Sequence, residues 1–172
     1  MLELIYRKFF TLLCVIMLFG CAKPNKKINY FTDLGEIPKD ETVDDIDFQI
    51  CHEDFTIPFN YLGVGLVYTG EKPELIKEFE SKYNPVNIKG ESGFITIRFI
   101  INCEGKSGRF RISETDMELS PKKFDKNISS QIIKITKELN GWKPFQRQEK
   151  KMDYQQYLVF KISDGVIEKI LP

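Results

Sequence analysis

Alternating apolar and polar residues mark part of this chain as β-rich. In residues 93–101 every second position is large and apolar, which is typical of a strand with one buried face. The sequence EGKSG at residues 104–108 breaks this alternation, and RFRI at residues 109–112 resumes it. This order predicts a β-hairpin. The apolar face of its first strand consists of Ile95, Ile97, Phe99 and Ile101.

Two other segments carry apolar residues at helical spacing. Residues 73–83 have one apolar face and stop shortly before a proline, which predicts a first helix. Ser120 and Pro121 fit an N-cap and a first helical position, and Gly141 fits a stop signal, which predicts a second helix over residues 121–140. The apolar stripe of that helix consists of Phe124, Ile128, Ile132, Ile135 and Leu139.

The β patterns at residues 66–70, 154–162 and 166–171 predict three further strands. Asp164 and Gly165 form a two-residue turn signal between the last two strands. The sequence therefore predicts an α+β fold in which a small antiparallel sheet packs against two helices. The cross-strand pairs expected from this turn are Lys161 with Glu168, Val159 with Ile170, Ile162 with Ile167 and Phe160 with Lys169.

The N-terminal segment has the features of an export signal. Basic residues precede an apolar run at residues 9–19, which is shorter than the ~20 residues that a membrane-spanning helix needs. The run ends in LFGC at residues 18–21, which resembles the lipobox of bacterial lipoproteins and implies an acyl (palmitate-type) anchor on Cys21. An uncleaved or non-lipid signal is the alternative. The predicted organisation is a signal peptide at residues 1–20, a tether with an acidic lead-in at residues 21–60, and one domain at residues 61–172.

The charge balance and the cysteines bear on the partner and on the compartment of this protein. The chain has 25 basic and 25 acidic residues, so no overall field favours nucleic acid as a partner. If Cys14 leaves with the signal and Cys21 carries lipid, only Cys51 and Cys103 remain in the fold. A disulfide between them is expected outside the cytoplasm, and closing that loop stabilises a fold by about 4 kcal/mol. Two separate buried thiols are the alternative.

Two local motifs invite a chemical interpretation. Residues 33–54 hold nine acidic residues and one lysine, and are expected to be a solvated lead-in with a short strand at residues 47–51. The DDID sequence in this lead-in lacks the turn glycine and distal glutamate of a calcium loop, so no metal site is predicted. In CHED, residues 51–54, neighbouring side chains of an extended strand point to opposite faces. Cys51 and His52 are therefore not expected to act on one atom.

The order of elements over residues 67–162 resembles the C-terminal domain of TonB-type energy transducers. The matching parts are GFITIRFIIN, the turn CEGKSG, a long helix, WKP, and the last core strand YLVFKI. By this resemblance, Trp142 and Pro144 form the structural junction between the long helix and the last strand. An indole buries a large area and a proline fixes the chain direction, which supports the same role. The chain departs from the family in its basic FQRQEKK loop and in its lack of a long proline-rich spacer, which argues against energy transduction.

The resemblance implies that an extended segment of a partner protein adds as a strand beside the last core strand. The residues expected to bind it lie in that strand and in the basic loop at residues 143–151. Since residues 166–171 would cap the strand, binding needs their displacement or another edge. The predicted partner-binding residues are Tyr157, Val159, Lys161 and Arg147.

The expected function is that of a non-enzymatic lipoprotein of the cell envelope that needs no cofactor. It is expected in the outer membrane facing the periplasm, where it binds a transporter or another envelope protein. The alternative is a lipoprotein that binds a small ligand or the cell wall and uses the fold as a scaffold. A third hypothesis, an enzyme built on CHED, predicts loss of activity in the His52→Ala variant.

Overall fold

The computed structural model describes residues 36–52 and 55–172. Over these residues it has the predicted α+β fold, with two helices, a four-stranded antiparallel sheet and a small two-stranded sheet. A single turn of 3₁₀ helix at Phe59–Tyr61 precedes them. The elements are α1 (Glu71–Lys82), β1 (Gly93–Ile101), β2 (Ser107–Thr115), α2 (Lys126–Glu138), β3 (Phe145–Arg147), β4 (Lys150–Met152), β5 (Tyr154–Ser163) and β6 (Val166–Leu171).

The main sheet has the strand order β2-β1-β5-β6, and every neighbouring pair is antiparallel. Alternate residues of β1 and β5 point toward the two helices, as the sequence pattern predicts. The ring of Phe79 in α1 lies 4.8 Å from the ring of Phe160 in β5. The fully buried centre of this core includes Leu75, Phe79, Ile95, Ile97, Phe99, Ile128, Ile132, Leu158, Phe160 and Ile162.

Both helices begin at positions other than those expected. α1 starts two residues before the predicted Pro73, directly after Gly70 in a left-handed conformation. α2 starts at Lys126, where the Asp125 side chain accepts the Asn127 N–H at 2.8 Å. Residues 116–120 form a turn, in which the Asp116 carboxylate accepts the N–H of Ser120 at 2.8 Å, and Pro121 then makes a β-bridge with Thr115. This local side-chain bond competes with helix initiation.

The loops also depart from expectation at two places. The predicted strand at residues 66–70 is reduced to a single bridge between Tyr68 and Trp142. The basic loop at residues 143–151 is a hairpin, because β3 pairs with β4. Its turn residues Gln148 and Glu149 both have positive φ, at 48° and 65°. Two-residue hairpin turns of this kind usually carry Asn-Gly or Asp-Gly, and Gln-Glu is not a recognisable turn signal.

The hairpin of β5 and β6 turns at Asp164 and Gly165 as predicted, but its register changes after the first pairs. Ile162 faces Ile167 as expected. The strand then contains a bulge, so that Lys161 faces Lys169 and Phe160 faces Ile170. The predicted pairs of Phe160 with Lys169 and Val159 with Ile170 are therefore wrong. The bulge turns Ile170 to the buried face, where it packs with Phe160.

Residues 36–52 lie on the face of the sheet opposite the helices. Ile37 and Ile50 are buried there with Ile100 of β1, and Phe48 packs beside them. The Phe48 ring covers Gly108 so closely that a Cβ at that glycine would lie 2.2 Å from the ring. Residues 36–52 thus pack in one unit with the rest of the fold, although most of them are exposed as the expected solvated lead-in would be. The strand expected at residues 47–51 does not form.

Candidate functional site

The predicted partner-binding residues of β5 lie together on one face of the sheet. Tyr157, Val159 and Lys161 are half-buried and point away from the helices, as alternate residues of one strand must. Phe59 covers Tyr157 from one side, with their ring centroids 5.2 Å apart. Arg147 lies apart from these three in sequence and sheet, in the exposed hairpin of β3 and β4.

β5 is an interior strand, so it offers no free edge to a partner over most of its length. β1 pairs with residues 154–162 of β5 on one side, and β6 pairs with residues 159–163 on the other. Near the start of β5, Ile57 adds a parallel bridge to Tyr154. The Ile57 N–H donates to the Asp153 carbonyl at 2.9 Å, and the Gln155 N–H donates to the Ile57 carbonyl at 2.8 Å. Thus β6 and Ile57 cover most of the β5 edge at which the sequence predicts that the partner binds.

Within the described residues, the sheet ends at β6, and a groove of about 460 Å³ runs between this strand and α1. Ile76, Phe79 and Tyr83 line its helical side, and Ile167 and Ile170 line its strand side. This groove was not predicted, because its two walls are about ninety residues apart in sequence and no local pattern brings them together. The charged residues at its margins are Lys72, Glu80, Glu168 and Lys169.

Two hydrogen bonds fix the geometry around the groove. The Tyr83 hydroxyl donates to the Gly165 carbonyl at 2.7 Å, which ties the end of α1 to the β5–β6 turn. Burial raises the pKa of Tyr83 to about 12. At the other end, the Lys72 ammonium donates to the Pro172 carbonyl oxygen at 2.6 Å. The groove therefore has a wall that is anchored at both ends.

The bulge in β6 places a charged pair on the outer face of the sheet. The Lys161 ammonium lies 2.8 Å from the Glu168 carboxylate, although Glu168 is the extra residue of the bulge and faces no residue of β5. The predicted ion pair is therefore formed, but by a different backbone register. Charges and bulges on an edge strand limit uncontrolled pairing with other strands.

Trp142 lies buried in the loop that connects α2 with β3. Its ring packs edge-on against Tyr68 at 4.9 Å and against Phe99 at 5.3 Å between centroids. The backbone beside it is bound as well, because the Lys143 N–H donates to the Val67 carbonyl at 3.1 Å. Pro144 follows beside Gly105 of the β1–β2 turn, where an added Cβ would lie 3.2 Å from the Pro144 Cδ. The tryptophan thus holds together the loop before α1, the central strand and the loop after α2.

A second cluster surrounds the disulfide bond between Cys51 and Cys103, whose formation the sequence predicted. The buried Asp153 carboxylate accepts the His52 N–H at 2.6 Å and the Cys103 N–H at 2.8 Å. The His52 Nδ1 lies 3.1 Å from the same carboxylate. We call Cys51, His52, Cys103 and Asp153 the disulfide cluster. The role of Asp153 could not be predicted from the sequence, because this residue only precedes a strand pattern and lies 101 residues from His52.

Residues 36–48 are held to β2 by a partly buried ion pair. Arg111 donates to both oxygens of Asp44, at 2.6 and 2.8 Å, and also donates to the Pro38 carbonyl at 2.6 Å. The hydrogen bonds from Arg111 lower the pKa of Asp44 below its usual range. The acidic residues of this segment therefore include a structural carboxylate, and not only solvated charge.

No protein-family model matches this chain, and neither a curated protein nor a solved structure matches it. The resemblance to the TonB C-terminal domain thus stays a prediction from sequence. In the part of the chain that the structure describes, no helix is both long and apolar enough to cross a membrane. Cys21, and with it the predicted lipid anchor, lies outside the described residues.

Proposed function

We propose that this chain is a lipid-anchored envelope protein that binds an extended segment of a partner protein along β6. The supporting observation is the coincidence of a sheet edge with an apolar groove between β6 and α1. An added strand gains main-chain hydrogen bonds from the edge, and every second side chain of that strand points toward the groove. The anchor is carried by the lipobox-like LFGC sequence.

The chemistry of the groove defines the partner segment. Its walls are apolar, so the segment should carry large apolar residues at alternate positions. Two lysines and two glutamates, Lys72, Lys169, Glu80 and Glu168, stand at its margins, so neither charge sign is favoured. Binding should therefore depend only weakly on salt, unlike binding driven by a charged patch.

The partner has two routes to the sheet. It can add beside β6, or it can displace β6 and pair with β5 near Tyr157, Val159 and Lys161, as the sequence resemblance implies. Residues Val159 and Leu171 face each other across β5 and β6. A V159C/L171C disulfide would hold β6 in place, since opposite positions of antiparallel strands come within disulfide range. Binding that survives this lock supports addition beside β6, whereas loss on locking supports displacement.

The primary experiment places a photo-crosslinking residue at the exposed Lys169 of β6 in the native envelope. The matched control carries the crosslinker at Lys134, which is exposed on α2. We expect an adduct from Lys169 alone, mapped by mass spectrometry to an extended segment with alternating apolar residues. Ile76→Glu, which places a charge on the groove wall, should abolish the adduct, while Lys77→Glu on the same helix should not.

Two results would contradict this proposal. If the purified Ile76→Glu protein is folded and the Lys169 adduct is unchanged in the cell, the groove does not hold the partner and this proposal is wrong. Adducts at both Lys169 and Lys134 would show that crosslinking is non-specific and does not report binding at the β6 edge.

A small apolar ligand is the second candidate, because a volume of about 460 Å³ is typical of small-molecule pockets. It predicts that native mass spectrometry of the purified protein detects a bound lipid-like compound, lost in Ile76→Glu. It also predicts that no protein adduct forms at Lys169.

A further inference from the structure

The disulfide cluster brings three metal-binding side chains to one place, with a histidine beside one of them. The sulfur atoms of Cys51 and Cys103 and a carboxylate oxygen of Asp153 all lie within 4.8 Å of one another. The Nδ1 atom of His52 lies 3.1 Å from the Asp153 carboxylate. Two sulfurs and a carboxylate oxygen are thus gathered already, and the imidazole next to the carboxylate supplies the fourth donor of a set that tetrahedral zinc accepts.

The carboxylate is positioned before any ion arrives. Asp153 is fully buried, and each of its oxygens accepts a backbone N–H, one from His52 and one from Cys103. Those donors belong to the segments that carry the two cysteines. The same carboxylate thus fixes its own orientation and the separation of the cysteine backbones, as supporting hydrogen bonds do around metal ligands.

In the oxidised chain the two sulfur atoms are bonded to each other, which leaves no thiolate to bind a metal ion. Reduction by a phosphine or a dithiol transfers two electrons to the S–S bond, breaks it, and yields two thiols after uptake of two protons. Deprotonated, these thiols would place two negative charges beside a buried carboxylate. A divalent cation compensates such a group of charges and binds to it directly.

We infer that the reduced chain binds one zinc-type divalent cation through Cys51, Cys103, Asp153 and His52. The disulfide and the metal site exclude each other, because both use the same two sulfur atoms. Solvent reaches the cluster from the side of Cys51, which is exposed, while Asp153 closes it from the core side. The redox state of one residue pair therefore decides whether the site exists. This inference is independent of partner binding along β6.

The test uses the full chain with C14S and C21S, so that only the cluster cysteines remain. The protein is reduced with a phosphine and titrated with Co²⁺ and then Zn²⁺, alongside its oxidised form. We expect one Co²⁺ per reduced chain with the visible absorption of tetrahedral thiolate coordination, displaced by one Zn²⁺. The oxidised protein and a C51S/C103S variant should show no such spectrum. A reduced chain that binds Co²⁺ no better than C51S/C103S would overturn the inference.

Variants of the other two ligands separate a built site from a loose thiol pair. Asp153→Ala and His52→Ala should each weaken Zn²⁺ binding by about tenfold or more. Glu104→Ala, next to Cys103 but exposed, should leave it unchanged. If Asp153→Ala binds Zn²⁺ as tightly as the parent, the assigned site is wrong.

Circular dichroism covers the case in which reduction unfolds the chain. Zn²⁺ should then restore the fold and raise the melting temperature of the reduced parent, but not of C51S/C103S. A reduced chain that stays unfolded with Zn²⁺ present also overturns the inference.

Discussion

The indole ring of Trp142 lies edge-on to the ring of Phe99, with their centroids 5.3 Å apart. The contact joins the loop after α2 to β1, an interior strand of the sheet, and Tyr68 packs edge-on against the same indole at 4.9 Å. Trp142 is only 5% exposed, so its removal would leave a large cavity between three segments.

We expect Trp142→Ala to lower the free energy of unfolding by about 3–5 kcal/mol, the usual cost of truncating a buried aromatic residue. Trp142→Phe should recover part of this loss, because it keeps an aromatic ring against Phe99. Urea unfolding followed by circular dichroism measures both, since the variants lose the chain's single tryptophan signal. Lys143→Ala, the exposed neighbour, is the control. An Ala variant as stable as the parent would show that the junction is not fixed by this ring.

The ion pair of Asp44 and Arg111 should make stability depend on acid pH. Asp44 has a lowered pKa in the fold, so its contribution is present above its ordinary pKa near 3.8 and disappears as pH falls further. Asp44→Asn should therefore be about 1–3 kcal/mol less stable than the parent at pH 7. The difference should shrink below about pH 4. Denaturant unfolding at several pH values tests this, with the exposed Glu41→Gln as control, and a difference that stays constant with pH would contradict it.

Tyr83 should limit stability at alkaline pH. Burial raises its pKa to about 12, so the folded state keeps the phenol proton when the unfolded chain has lost it. Stability is thus fully present below the ordinary tyrosine pKa near 10 and falls as pH rises from there to about 12. Tyr83→Phe should flatten this part of the profile by roughly 2 kcal/mol. Its stability at pH 7 should be lower, because the bond to the Gly165 carbonyl is lost. Parallel profiles above pH 10 would disprove the assignment.

Because β6 contains a bulge, we expect that one residue can be deleted from this strand without loss of the fold. Removing Lys169 should leave a regular strand in which Glu168 faces Lys161, while Ile170 still faces Phe160. We expect this deletion to be tolerated within about 1 kcal/mol, because the buried pairs are kept. It should also increase self-association, since the edge loses a bulge and a charge.

The control deletion is Val159 in β5, which pairs with β1 without any bulge. This deletion shifts one part of β5 to the wrong face and should prevent folding. Chemical denaturation and sedimentation velocity compare the two proteins. If both deletions lower stability equally, β6 does not contain the extra residue that the register indicates.

Elements with local signals could be predicted from the amino-acid sequence. The alternation in Gly93–Ile101 and Tyr154–Ser163, the helical stripe around Ile132, and the Asp164-Gly165 turn each predict an element from neighbouring residues alone. The Cys51–Cys103 bond was also predictable, because a cleaved signal segment and a lipidated Cys21, as the sequence predicts, would leave one pair of cysteines in the fold.

Only the tertiary structure decided the features that depend on distant contacts. The bulge at Glu168 forms because burying Ile170 against Phe160 outweighs the regular pairing that a two-residue turn favours. Residues 36–52 become ordered because Arg111 and Asp153, far along the chain, supply their partners. The same holds for the groove between α1 and β6 and for the donor set around the disulfide. Periodicity and turn chemistry act over a few residues, whereas a site assembled across a hundred residues is set by packing.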